Sequence, residues 1–306
     1  MAEDYPSYLK LHRSGELQAR ARKARTYLSP CRVCPRGCLV DRLADEKGKC
    51  NVGRDALLAS HGPHFGEEQV LRGKHGSGTV FFAGCNLQCV YCQNYDISHL
   101  HRGRPVSAED LARVFLEVQD ADCHNLNLVT PTHVVPQILD ALTLAVQDGF
   151  HLPLVYNTSG YDSLIMLHLL DGVVDIYMPD FKYADDDLGL KYSGIPAYNR
   201  VARRAIKEMH RQVGVLKLDE RGVAKRGLLI RHLVLPGNLA GTKEVMEFIA
   251  TELSPDSYVN VMGQYRPEYK AFQYGETARY PTVEELARAV RWALDAGIHR
   301  GIPFGP

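Results

Sequence analysis

From about residue 78 onward, short apolar runs alternate with longer stretches of helical periodicity. The runs lie at 78–83, 125–130, 153–157, 173–178, 227–235 and 257–262. Many are rich in Val, Ile, Leu or aromatic residues, the pattern of strands buried on both faces. Between them the periodicity predicts helices over roughly 134–148, 162–171, 197–213 and 242–253. Ser107-Ala-Glu-Asp110 reads as a capping box that starts another, with Leu111, Val114, Phe115 and Val118 on one face. Thr282-Val-Glu-Glu285 caps a last helix carrying Leu286, Val290 and Leu294. Strands alternating with helices predict an α/β fold with a parallel sheet. Six such strands suit an incomplete α/β barrel or a doubly wound sheet, and both place ligands at the carboxyl ends of the strands.

The first 77 residues break this pattern. Residues 1–30 read as a helical lead-in rich in Arg, Ala and Leu, closed by Ser29-Pro30. Residues 31–77 hold four cysteines, many Gly and Lys, and little apolar periodicity. They predict a small loop-rich module held by a metal rather than by a core. The expected division is therefore 1–77, the lead-in and four-cysteine module, and 78–306, the α/β region with a C-terminal helical segment.

Composition narrows the class. The 306 residues are 45% hydrophobic and 24% charged, an ordinary globular balance. Thirty-six Lys and Arg balance 36 Asp and Glu, which argues against nucleic acid as a partner. The basic run Arg20–Arg25 reads as a solvated helix face. No apolar stretch approaches the roughly 18 residues a membrane span needs. Met1-Ala-Glu-Asp-Tyr5 lacks the parts of a signal peptide, so a cytoplasmic location is expected. In that reducing setting clustered cysteines more often bind metal than pair. Seven of the eight cysteines fall in two tight groups; Cys123 stands alone and reads as a small buried side chain.

The most informative group is Cys85, Cys89 and Cys92, spaced C-x3-C-x2-C directly after the first apolar run. Three thiolates can hold one inorganic cluster, yet they are one short of a closed [4Fe–4S] or structural zinc site. One iron is then left open for a reacting ligand. The run Cys85-x3-Cys89-x-Tyr91-Cys92 resembles the signature of the radical S-adenosylmethionine superfamily. The resemblance implies a partial (β/α)6 barrel and a [4Fe–4S] cluster whose open iron chelates S-adenosylmethionine. Reductive cleavage there would give a 5′-deoxyadenosyl radical that abstracts hydrogen. Tyr91, the aromatic before the last cysteine, is implied among the cofactor contacts.

Later segments are similar to the activating enzymes of glycyl radical enzymes. Met178-Pro-Asp180-Phe-Lys182 resembles their D-x-K motif, which implies Asp180 and Lys182 as S-adenosylmethionine contacts. Arg231-His-Leu-Val-Leu-Pro236-Gly237 resembles their Arg-bearing strand, with Arg231 implied on the methionyl carboxylate. Tyr156-Asn157-Thr158-Ser159-Gly160 stands where they carry a Thr-Asn-Gly-like turn, which makes Asn157 a further candidate. One departure stands out. Val129-Thr130-Pro131-Thr132-His133 replaces their Gly-Gly-Glu-Pro-like turn, so a Thr130 hydroxyl or a backbone carbonyl must serve where a carboxylate is usual. Over roughly residues 30–270 the chain resembles the branch related to pyruvate formate-lyase activating enzyme.

The second group is Cys31-x2-Cys34-x3-Cys38-x11-Cys50. Four thiolates permit a closed site, and sulfur-only ligation suits an auxiliary [4Fe–4S] cluster or zinc. Between those two the spacing does not decide. His61, His64 and His75 bracket a Gly-rich linker and read as solvated loop histidines. Tyr265, with Gln264, ends the sixth apolar run and is a candidate pocket residue, whereas Tyr177, Tyr183 and Tyr192 read as packing groups.

Three readings of the function follow. The first is hydrogen abstraction from a glycine of a partner enzyme, which needs an open mouth. The second is radical modification of a small molecule or cofactor precursor, which needs a pocket closed by the N-terminal module and the segment from about 263 to 306. The third, a non-catalytic iron–sulfur carrier or scaffold, fits poorly with three local thiolates. The resemblance also implies an electron donor such as flavodoxin or ferredoxin.

Overall fold

The computed structural model describes residues 5–302. Nine strands form one sheet: β1 Ala56–His64, β2 Ser77–Phe82, β3 Arg104–Val106, β4 Leu126–Val129, β5 Leu154–Thr158, β6 Ile176–Pro179, β7 Lys217–Leu218, β8 Ala224–Leu233 and β9 Tyr258–Met262. Strands β2, β4, β5, β6, β8 and β9 pair in that order, every step parallel. They coincide with the six apolar runs. Parallel neighbours need long crossovers, and helices supply them: Ala108–Asp120, Val135–Gln147, Leu164–Leu170, Tyr198–Val213 and Thr242–Phe248. Both expected capping boxes are present, at Ser107 with Asp110 and at Thr282 with Glu285.

The period of two along each strand sorts its side chains to opposite faces. Leu154, Tyr156, Tyr177, Leu228 and Ile230 join the main core under the helices. Val155, Ile176, Met178 and Leu229 point the other way, into a smaller apolar cluster with Leu71. Asn157, Asp180 and Arg231 continue this second row, which brings the candidate residues onto one face.

The N-terminal part departs from expectation. Strand β1 lies inside the stretch read as a loop-rich module and shares only the start of the Gly-rich linker; it is antiparallel to both β2 and β3, so one sheet runs across residue 77. His61 and His64 lie on that strand, and His61 meets Glu117 at 2.8 Å. The connection from β1 to β2 folds back across the sheet face that carries Val155, Ile176 and Met178, and its short helix Gln69–Arg72 buries Leu71 there. Ala56-Leu57-Leu58-Ala59 was the available signal, but it is too short to show a period. In the helix Val283–Asp295 the buried residues are Ala289 and Ala293, while Leu294 stays exposed.

Candidate active site

Gly84 takes a positive φ of 79° at the end of β2 and turns the chain into the cysteine loop. A Cβ there would meet the Cys50 carbonyl oxygen at 2.3 Å, so the two cysteine groups meet through bare backbone. Arg36 reinforces that contact, with its Nε donating to the Asn86 carbonyl at 2.5 Å and its Nη2 to that of Gly194 at 3.0 Å. On the other side the C-terminal segment closes over the loop. Lys270 donates its backbone N–H to the Val90 carbonyl at 2.8 Å. Gln93 reaches the Gln264 carbonyl at 3.3 Å.

Each thiol of the triplet has its own neighbour. The Leu87 N–H donates to Cys85 Sγ at 3.3 Å; Ser193 Oγ lies 2.9 Å from Cys89 Sγ, and Ser98 Oγ 3.1 Å from Cys92 Sγ. Burial raises the Cys85 thiol well above its ordinary range and Cys89 to about 11, the latter opposed by the positive charge of Lys182. A metal that binds here displaces those protons.

The polar cluster at the carboxyl ends is built around Asp180. Its Oδ2 accepts from Lys182 Nζ at 2.7 Å and its Oδ1 from Arg231 Nε at 2.8 Å. Arg231 Nη2 donates to Asn157 Oδ1 at 2.7 Å. Burial alone would raise the Asp180 carboxyl; Arg231 and then Lys182 outweigh it and hold it below its usual range. Burial would likewise lower Lys182, but Asp180 and the nearby Cys89 keep it charged. This is a paired, partly sheltered charge set that can orient an ionic ligand.

Sequence reasoning missed the partner beneath it. Glu67, on the β1–β2 connection, accepts from Asn127 Nδ2 and lies 3.7 Å from Arg231 Nη1. Burial raises its carboxyl, with Arg231 opposing. Glu68 accepts from Asn260 on β9 at 3.0 Å. No local pattern marks these glutamates, because the fold alone brings them to the sheet. Thr130 adopts φ +61° and donates its N–H to the Asn157 carbonyl at 2.9 Å. Beside this turn the Asp162 carboxylate is enclosed and accepts from Thr132 at 2.7 Å, Thr158 at 2.6 Å and Tyr156 at 3.0 Å.

Two aromatic expectations change. The phenol of Tyr91 turns into the protein, against Tyr183 and Tyr265, which leaves only its main chain for a cofactor. Tyr265 is buried and donates to the Thr277 carbonyl at 2.7 Å, so it anchors the C-terminal segment rather than lining a pocket.

In the second group the four thiols lie within electrostatic reach of one another, and burial pushes Cys34 up to about 12. Beside them Arg42 is almost wholly buried, and its Nη2 has no partner among the described residues. Its charge lowers the Cys50 thiol against the stronger effect of burial. An enclosed guanidinium with an idle donor suits an anionic tetrathiolate centre. All eight cysteines are free thiols. Among the described residues no three His, Cys, Asp or Glu side chains gather around one point as a single-ion site would require. No helix among them is long and apolar enough to cross a membrane.

A protein of Methanocaldococcus jannaschii without assigned function is 35% identical over 281 residues, 88% of this chain and 76% of that one. A pyruvate formate-lyase-activating enzyme of Clostridium pasteurianum is 27% identical over 176 residues, 56% of this chain and 66% of that enzyme. Among solved structures, native anSMEcpe with bound AdoMet aligns over 70% of this chain and 57% of its own, at 11% identity and a TM-score of 0.46. Streptococcus suis SuiB aligns over 70% of this chain and 44% of its own, at 12% identity and a TM-score of 0.45. The profile of the radical SAM superfamily matches residues 79–249, from within β2 to the helix before β9 and through the cysteine triplet, and the chain belongs to that superfamily.

Proposed function

We propose that this chain is a radical S-adenosylmethionine enzyme whose cluster is held by Cys85, Cys89 and Cys92. The observation that carries the reading is the charge set Asp180–Lys182–Arg231 with Asn157, at the strand ends and electrostatically linked to Cys89. When bound, a [4Fe–4S] cluster with one iron left to S-adenosylmethionine supplies reductive cleavage of the sulfonium and abstraction of hydrogen. The protein's residues orient and enclose. Arg231 and Lys182 present cationic donors, Asn157 and Thr130 line the neighbouring strand ends, and the segment after β9 shields the loop from water.

A partial barrel is part of this reading. It is supported by the reach of two adjacent glutamates, Glu67 to Asn127 on β4 and Glu68 to Asn260 on β9. Those strands stand four steps apart, roughly 19 Å across a flat sheet. The Cys31, Cys34, Cys38 and Cys50 group is proposed as a second metal centre, an auxiliary cluster, or zinc once the thiols draw together around the ion, with Arg42 as its counter-charge.

Of the two reactions, radical modification of a small molecule is favoured by the closed surroundings of the loop. Residues 31–50 pack on one side and residues 264–270 on the other. Activation of a glycyl radical enzyme is supported by the relation to the Clostridium pasteurianum protein. Anaerobically reconstituted protein given a strong reductant and S-adenosylmethionine is expected to release 5′-deoxyadenosine. No release from protein with an intact cluster spectrum would overturn the enzymatic reading. Deuterium transferred into that product from a labelled small molecule, and not from a glycine-labelled polypeptide, separates the two reactions.

A further inference from the structure

Cys89 ends a chain of three hydroxyl groups. Its Sγ lies 2.9 Å from Ser193 Oγ, Ser193 Oγ lies 2.8 Å from Tyr183 OH, and Tyr183 OH is hydrogen-bonded to Tyr91 OH. All four side chains are buried. Backbone contacts fix the arrangement. The helix Asp186–Ser193 ends against the cysteine loop, where the Ser193 carbonyl accepts the Gln88 N–H at 3.0 Å and the Tyr192 carbonyl accepts that of Val90 at 2.8 Å. Two carbonyls that a helix end leaves without intrahelical partners are thereby satisfied, and the Ser193 side chain is held beside the cysteine between those two donors.

The direction of the chain depends on the state of Cys89. Each hydroxyl has one proton to give. As a thiol, Cys89 can itself donate, and the order of donors is open. As a thiolate it only accepts, so Ser193 must donate to it, Tyr183 must donate to Ser193, and Tyr91 must donate to Tyr183. The chain then runs one way and ends on a negative sulfur, the geometry in which successive hydrogen bonds polarise one another.

We propose that Tyr91, Tyr183 and Ser193 form a positioning relay that sets the reduction potential of the cluster on Cys89. The proposal rests on the cluster reading above. Donors to a ligating sulfur stabilise the added negative charge of the reduced cluster, so they raise its potential. Ser98 beside Cys92 and the Leu87 N–H on Cys85 act locally and singly, whereas Cys89 draws on a three-member line. The aromatic of the cysteine motif thereby serves the sulfur two residues before it.

The test is a redox titration of the reconstituted full-length protein, followed by the electron paramagnetic resonance signal of the reduced cluster. Iron–sulfur(cysteine) stretching frequencies from resonance Raman give a second reading. Wild-type protein that shows no cluster signal refutes the cluster reading itself, before any variant is compared. Given a signal, Ser193→Ala is expected to move the midpoint to a more negative potential, and Ser193→Thr to restore it. Tyr183→Phe and Tyr91→Phe are expected to give successively smaller shifts of the same sign. In the Ser193→Ala background Tyr183→Phe is expected to add almost nothing, since the line is already cut. Equal midpoints in wild type and Ser193→Ala would overturn the proposal, as would a Tyr183→Phe shift of the same size in both backgrounds. If Ser193→Ala loses its cluster, the two tyrosine variants decide: unchanged midpoints and stretching frequencies in both would overturn the relay.

Discussion

The Nε–H of Arg231 donates to Oδ1 of Asp180 at 2.8 Å, between two residues that also pair as a parallel bridge beyond the end of β6. One carboxylate thus holds the arginine, and through its other oxygen the lysine two residues on. Asp180→Ala leaves Lys182 sheltered without its carboxylate partner and Arg231 with only the longer pairing to Glu67 at 3.7 Å. The expected cost is about 3 kcal/mol, read as a lower urea midpoint. Asp180→Asn keeps the shape and is expected to cost less stability while weakening S-adenosylmethionine binding, measured by equilibrium dialysis. Equal binding by Asp180→Asn and wild type would remove Asp180 from the cofactor contacts.

Gly84 offers a second test. Its positive φ is one cost for any side chain, and the Cys50 carbonyl at 2.3 Å is another. Gly149 has φ +91° with nothing within 4 Å, so Gly149→Ala measures the conformational cost alone. Gly149→Ala is expected to cost about 1 kcal/mol and Gly84→Ala about 3 kcal/mol. Only Gly84→Ala is expected to reduce iron uptake at the triplet. Equal stabilities and iron contents would show that the backbone contact is not tight.

Arg42 predicts a selective loss. Arg42→Met removes the buried charge beside Cys50 but not the thiols. Metal at the four-cysteine group is expected to be held roughly tenfold more weakly or worse, by the scale of a charged hydrogen bond. Iron at Cys85, Cys89 and Cys92 is expected to remain. Competition with a chelator, metal by metal, reads the difference and also reports whether the second group holds iron or zinc.

Glu285 predicts an acid limb. It accepts from Gly237 N–H at 2.7 Å, Thr282 N–H at 2.8 Å and both Nη atoms of Arg279 at 2.8 Å. Arg279 is the main reason its carboxyl falls to about 2, with the two backbone donors adding to it against slight burial. The folded value lies below the unfolded one. Its stabilisation is therefore complete above about pH 4.5 and lost as pH falls towards 2. Glu285→Gln is expected to lower the melting temperature at pH 6 and to narrow the gap from wild type as pH falls through that window. A gap that stays constant with pH would show that the charge contributes nothing.

The parallel strands were legible because each is an apolar run of strand length bounded by turn residues. The capping boxes were legible because they are local. The period of two could also have placed Asn157, Asp180 and Arg231 on one face, two or four residues beyond Val155, Ile176 and Leu229. Glu67 and Ser193 were not legible, for a different reason. Glu67 meets Asn127 across 60 residues, and Ser193 meets Cys89 across 104. Such pairings are fixed by topology, and no periodicity records them. Strand β1 was hidden by its composition: Gly62, Pro63 and two histidines make an edge-like strand that alternation does not reveal.

The backbone contacts of Val90 also bear on the order of assembly during synthesis. Its N–H needs Tyr192 and its carbonyl needs Lys270, so the cysteine loop cannot reach its final shape until both distant segments have emerged and docked. A nascent chain that has just passed Cys92 therefore presents the thiols of the triplet loosely tethered. Cluster insertion is expected to be largely post-translational, and a chain ended after Gly263 should take up iron at the triplet poorly. Equal iron loading by that truncation and the full chain would show that the loop matures without its lid.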